Sequence, residues 1–127
     1  MVDTLGLLWA LVITPASVQD RDGGKLALEQ FRDRVKFPKV IWADTAYHAT
    51  ARWAGVLWNW YVEIVTRPRG RFEIQRKRWI VERTFGWWNR SRRLAKCYER
   101  TTESEQAFIL VTMIHLMARR LSNSWLF

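Results

Sequence analysis

Cysteine is nearly missing from this sequence. Cys97 stands alone among 127 residues, which excludes an internal disulfide framework and suits a reducing compartment. No His or Lys constellation surrounds it, so it lacks the signature of a nucleophile. Long apolar runs are missing as well. Residues 107 to 118, AFILVTMIHLMA, number only twelve and include Thr112 and His115; they are too few to span a bilayer and read as a core helix. The apolar opening MVDTLGLLWALVITPAS carries Asp3 where a signal peptide has a basic region. Repeats, low-complexity tracts and linkers are absent, and 127 residues of 49% hydrophobic content form one folded domain over 1–127.

Acid is scarce in one region. Residues 67 to 100 hold 12 Lys/Arg against 3 Asp/Glu, which accounts for the whole net charge of +9. A basic block of this kind points to a polyanionic partner, most often nucleic acid, although a solvated soluble face has the same composition. Nine tryptophans predict a large buried aromatic content.

The patterning predicts an α/β domain. LGLLWALVIT (5 to 14) reads as a buried strand ended by Pro15. A helix follows, with Leu26, Leu28, Phe31 and Val35 in helical spacing and Asp20 or Asp22 as its cap. FPKVIWAD is a second strand, ATARWAGVLWNW a helix and YVEIVT a third strand, followed by the basic loop RPRGR. Two further helices cover 76 to about 90 and 103 to 121, the second opened by a Thr102–Glu105 capping box. The order β-α-β-α-β-α-α predicts strands that are at least partly parallel.

Two carboxylates have positions that suggest chemistry. Asp44 ends an apolar strand, where open α/β sheets collect ligands, although a turn or helix-cap role fits the same position. Glu82 is the single acid within RWIVERTFGWWNRSRRL (78 to 94), among five arginines. Arg78, Glu82, Gly86 and Asn89 share one helical face, away from the stripe of Ile80, Val81, Thr84, Phe85, Trp87 and Trp88. Gly86 costs the helix roughly 1 kcal/mol against alanine, and its missing side chain would let a metal or phosphate approach Glu82. An Arg78–Glu82 surface pair worth about 0.3–0.5 kcal/mol accounts for the pair but not for the glycine. Two carboxylates from separate elements suit a divalent ion of the Mg²⁺ type, and a third ligand is wanted.

The blocks VDTLGLLWALVITPASVQDRDGGK, IWADTAY and RWIVERTFGWWNRSRRLAKCYERTTESEQAFILVTMIHLMARRL resemble the C-terminal catalytic portion of DDE transposases from bacterial insertion sequences, of the insertion-sequence-5 type within the insertion-sequence-4-like superfamily. The likeness covers nearly the whole chain. It implies an RNase H-like fold, a five-stranded mixed sheet with flanking helices, and Mg²⁺- or Mn²⁺-dependent cutting and joining of DNA ends by an Asp-Asp-Glu triad. It places Asp44 at the second aspartate and Glu82 at the glutamate, with 37 residues between them, both as metal ligands. Arg78 matches the arginine that the family keeps four residues before the glutamate. The family's tyrosine seven residues before it is replaced by Gln75, and the lysine seven residues after it by Asn89, with Arg90 adjacent for a phosphate contact. Arg78, Arg83, Arg90, Arg92 and Arg93 form the expected DNA-binding set.

The first strand, most of the second and the first catalytic aspartate are expected upstream of the VDTLG block, and Asp3 matches a different family position. The resemblance therefore implies a truncated enzyme or the downstream frame of a split one, inactive alone. Its expected partners are insertion-sequence ends, target DNA, and an upstream-frame segment or intact transposase, in a bacterial cytoplasm at the nucleoid and not at a membrane. A non-catalytic basic DNA-binding protein that modulates intact transposase is the alternative, and a decayed reading frame with an exposed sheet edge a third reading. The other candidates read as structural. His48 is a surface or capping residue at a helix start, His115 a satisfied core histidine, and Asp20, Asp22 and Gly23 lack the further acids of a calcium loop.

Overall fold

A computed structural model describes residues 1–66, 76–96 and 98–124. The chain runs α1 (Asp20–Arg32), β1 (Ile41–Asp44), a 3₁₀ turn (Thr45–Tyr47), α2 (His48–Trp58), β2 (Val62–Val65), α3 (Arg76–Asn89) and α4 (Thr102–Ser124). The architecture is mixed α/β, with a two-stranded parallel sheet and flanking helices. β1 and β2 pair in the register Ile41↔Val62, Trp42↔Glu63, Ala43↔Ile64 and Asp44↔Val65. Parallel strands need a crossover, and α2 supplies it. Asn59 ends α2 in a left-handed conformation (φ 54°) and donates its N–H to Gly55 O, which asparagine tolerates better than most side chains.

The main core lies between α1, α2 and the sheet. Leu28, Ala54 and Trp60 are buried there, with Met1, Phe31, Ile41, Trp53, Trp58 and Val62 packed around them. The rings of Phe31, Trp60, Trp58 and Trp53 form a continuous chain, each edge-on or tilted to the next. Gly24 lets α1 close on the 3₁₀ turn, because a Cβ there would sit 2.7 Å from the Tyr47 ring. Thr50, buried on α2, donates to Arg21 O at 2.8 Å and ties the two helices.

Several expectations are corrected. The strand over 5–14 does not form; an isolated antiparallel bridge, Val2↔Leu8, stands near it. Asp3 explains the turn: its Oδ1 accepts from the N–H groups of Leu5 and Leu7 at 2.8 and 2.9 Å, turning the chain where a strand would run straight. The described sheet therefore has two parallel strands where the patterning gave three. Asp20 and Asp22 lie in the first turn of α1, behind Gln19 at the cap, where they favour the helix dipole without capping it. The α4 cap sits one residue early, with Thr101 Oγ1 accepting from Ser104 N–H.

His115 is exposed, not core, because among its described residues α4 buries only Ile109 and Met113 fully and leaves Leu110, Val111 and Ile114 at the surface. Most described tryptophans are half-buried or exposed, and Trp60 alone is buried. In so small a core a large ring keeps an edge in water. The RPRGR loop, Gln75 and Cys97 lie outside the described residues.

Candidate metal and nucleic-acid site

Asp44 and Glu82 meet around one guanidinium. Asp44 closes β1 and its side chain is about half exposed. Its Oδ1 accepts from Thr45 Oγ1 at 2.8 Å. That bond, reinforced by the backbone N–H groups of Ala46 and Thr45 and by the Arg78 charge, holds the carboxyl below the usual aspartate range against the opposing effect of desolvation. Glu82 lies on α3, exposed, and its Oε1 accepts from Arg78 Nε at 2.9 Å. The same Arg78 places Nη1 4.0 Å from Asp44 Oδ2. Because the guanidinium nitrogens share one rigid plane, the two contacting oxygens, Glu82 Oε1 and Asp44 Oδ2, lie no more than about 9 Å apart. Two ions about 4 Å apart, each with oxygen ligands near 2.1 Å, span roughly 8 Å.

α3 owes its place to Thr84, one of the most deeply buried side chains. Its hydroxyl lies 2.9 Å from Gly6 O and 3.1 Å from Ile80 O, so it joins the helix to the amino-terminal segment two residues beyond Glu82. Gly6 has φ +80°, and a Cβ there would meet Thr84 Oγ1 at 2.8 Å and the Trp87 ring at 2.9 Å. At the other end of α3, Lys77 Nζ donates to Glu63 Oε1 at 3.1 Å.

The expected DNA-binding arginines differ in their surroundings. The Arg83 guanidinium lies over both the Trp79 and Trp87 rings, 4.8 and 5.0 Å from their centroids, and among the described residues its buried Nε has no hydrogen-bond partner. Arg93 pairs with Glu99 at 2.8 Å and lies over Phe108. Arg90 and Arg92 are exposed. Gly86 has nothing within 4 Å of a built Cβ, so the face it shares with Glu82 is open.

The donor set fits a divalent ion in part. Asp44 and Glu82 carry hard carboxylate oxygens on either side of the Arg78 guanidinium, and among the described residues no group of three His, Cys, Asp or Glu is placed to hold a metal. A family model described as a transposase DDE domain matches residues 1–117.

The chain belongs to the DDE transposase family. Comparison with curated proteins and with solved structures returned no match. Family membership connects this DDE domain to DNA transposition, to DNA as the substance acted on and to the divalent metals that such domains typically use. Among the described residues no helix is long and apolar enough to cross a membrane. Sequence reasoning missed the partners around the site. Thr84 looked like one more residue of an apolar stripe, and neither Glu63, Lys77 nor Trp42 carried a motif signal of its own.

Proposed function

We propose that this chain is the carboxyl-terminal part of an RNase H-like DDE transposase catalytic domain of the insertion-sequence-5 type, of bacterial origin. The observation that carries the reading is Arg78 bridging Asp44 and Glu82, two acids 38 positions apart. Asp44 and Glu82 would hold Mg²⁺ or Mn²⁺, with a third carboxylate supplied from outside these residues. Ions so held supply a polarised attacking oxygen and charge stabilisation at a scissile phosphate. The chain's own residues orient and neutralise. Arg78 keeps the two acids facing one space, and Arg83, Arg90, Arg92 and Arg93 contact the phosphates of insertion-sequence ends and target DNA. The contact of the Arg83 guanidinium with two indole rings pre-orients its fork, which lowers the entropy lost on phosphate contact. A cytoplasmic, nucleoid-associated location follows from DNA as substrate.

The chain alone does not cut or join DNA, because a metal short of a ligand is held weakly and misplaced against the phosphate. A test incubates the 127-residue chain with Mg²⁺ and an insertion-sequence end, with and without an upstream segment bearing an aspartate on a strand. Strand transfer should appear only with that segment, and Glu82→Gln should abolish it. Strand transfer by the chain alone would refute the incomplete-site reading. DNA binding that persists while every reconstituted form stays inert would favour the alternative, a basic DNA-binding protein that modulates intact transposase.

A further inference from the structure

We infer that Glu63 is a positioning residue for the Asp44–Glu82 pair, acting as a latch that seats the first turn of α3 on the sheet. The inference rests on the proposed metal-site reading. Trp42 and Glu63 are register partners on β1 and β2. Side chains alternate along a strand, so both project from the same sheet face as Asp44, two residues beyond Trp42. Both oxygens of Glu63 are occupied. Oε2 accepts from Trp42 Nε1 at 2.8 Å, and Lys77 Nζ stands 3.1 and 3.3 Å from Oε1 and Oε2. The same ammonium lies 4.4 Å from the Trp42 ring centroid. Three side chains from three elements thus close on one another. The Lys77 hydrogen bond, followed by that of Trp42, holds the Glu63 carboxyl below the ordinary glutamate range.

The position of this cluster matters more than its contribution to stability, since exposed ion pairs add little. Lys77 and Arg78 are consecutive on α3 and so diverge by about 100° around the helix. Lys77 grips β2 through Glu63, while Arg78 reaches β1 through Asp44 and its own helix through Glu82. At 4.0 Å the Arg78–Asp44 approach is loose; at 3.1 Å the Lys77–Glu63 contact is the firmer hold. Thr84 fixes α3 on the far side of Glu82. With both holds in place Glu82 has one orientation towards Asp44. Without Glu63, the first turn can lift or rotate, carrying Arg78 and Glu82 away.

The test measures Mn²⁺ affinity of the full chain by electron paramagnetic resonance. Glu63→Gln should weaken Mn²⁺ binding about tenfold, the usual scale for residues that orient metal ligands, with the thermal midpoint nearly unchanged. Glu63→Lys combined with Lys77→Glu should recover part of the affinity, because the swapped ion pair rejoins α3 to β2 although a lysine on β2 cannot accept from Trp42 Nε1. Spin labels at Tyr61→Cys and Asn89→Cys, in a Cys97→Ser background, report the position of α3 directly, and their distance distribution should broaden in Glu63→Gln. Mn²⁺ binding that Asp44→Asn abolishes but Glu63→Gln leaves intact would overturn the latch alone. A broadened distance with unchanged affinity would reduce Glu63 to a structural brace and overturn it too. A wild-type chain that binds no Mn²⁺ would overturn the metal-site reading, and the latch with it.

Discussion

The same chemical change at two glycines should have opposite effects. At Gly6, alanine must adopt φ +80°, a left-handed backbone that costs an L-residue about 1–2 kcal/mol. Its methyl group would also stand 2.8 Å from Thr84 Oγ1 and 2.9 Å from the Trp87 ring, and overpacking of that kind costs about 1–3 kcal/mol. Gly6→Ala should therefore lose roughly 2–5 kcal/mol. Gly86 lies in mid-α3 with nothing within 4 Å of a built Cβ, so Gly86→Ala should gain up to about 1 kcal/mol from helix propensity. Urea denaturation followed by far-ultraviolet circular dichroism separates them: with a slope of about 1–3 kcal/mol/M, the midpoint should fall by about 1–2 M for Gly6→Ala and rise by a few tenths for Gly86→Ala. Thr84→Val should lose about 1–3 kcal/mol, since the buried Gly6 carbonyl is left without its donor. Equal midpoints for the two alanine variants, or a shift in the same direction, would refute the claim that Gly6–Thr84 anchors α3.

The Met1 amino group is lowered from 8.0 to about 6 by burial, so between pH 6 and 8 the unfolded chain holds a proton that the folded chain has released. Stability should rise with pH across that window, by roughly 2–3 kcal/mol; urea midpoints that stay flat from pH 6 to 8 would contradict it. Duplex DNA affinity should fall steeply with salt, each neutralised phosphate adding about 0.9 to the slope of log affinity against log salt, and Arg90→Ala and Arg92→Ala should each lower that slope by about that amount. Affinity unchanged between roughly 50 and 200 mM salt would remove the polyanion reading.

Periodicity made the helices legible. Residues 20–32, 48–58, 76–89 and 102–124 fall within a few residues of where apolar spacing places them, although the capping residues of the first and last helices are not those expected, and the parallel pairing of β1 with β2 follows from an intervening helix. The segment 5–14 misled because its run of apolar side chains is the same in a strand and in a turn held by Asp3; the deciding hydrogen bonds come from a side chain that propensity ignores. α4 misled for a different reason. Its apolar residues surround much of the helix, but the described chain offers a partner to only one side, so His115 stays in water. At the site, spacing suggested Arg78 beside Glu82, and the pair is there. That Arg78 also reaches Asp44, and that Glu63 receives Lys77, depend on how α3 lies on the sheet, which sequence separation does not encode.

Asp44 and Glu82 should share one divalent-ion site, and Mn²⁺ titration of chain labelled with ¹³C at its Asp and Glu carboxyl carbons tests this most directly. Paramagnetic broadening should strike the Asp44 and Glu82 carboxyl signals together, at the same Mn²⁺ concentration and before those of Glu103 and Asp33. Asp44→Asn should then protect the Glu82 signal, and Glu82→Gln the Asp44 signal, because each ligand depends on the ion the other helps to hold. Broadening that strikes the two carboxylates at different concentrations, or that survives at one after the other is replaced, would contradict a shared site.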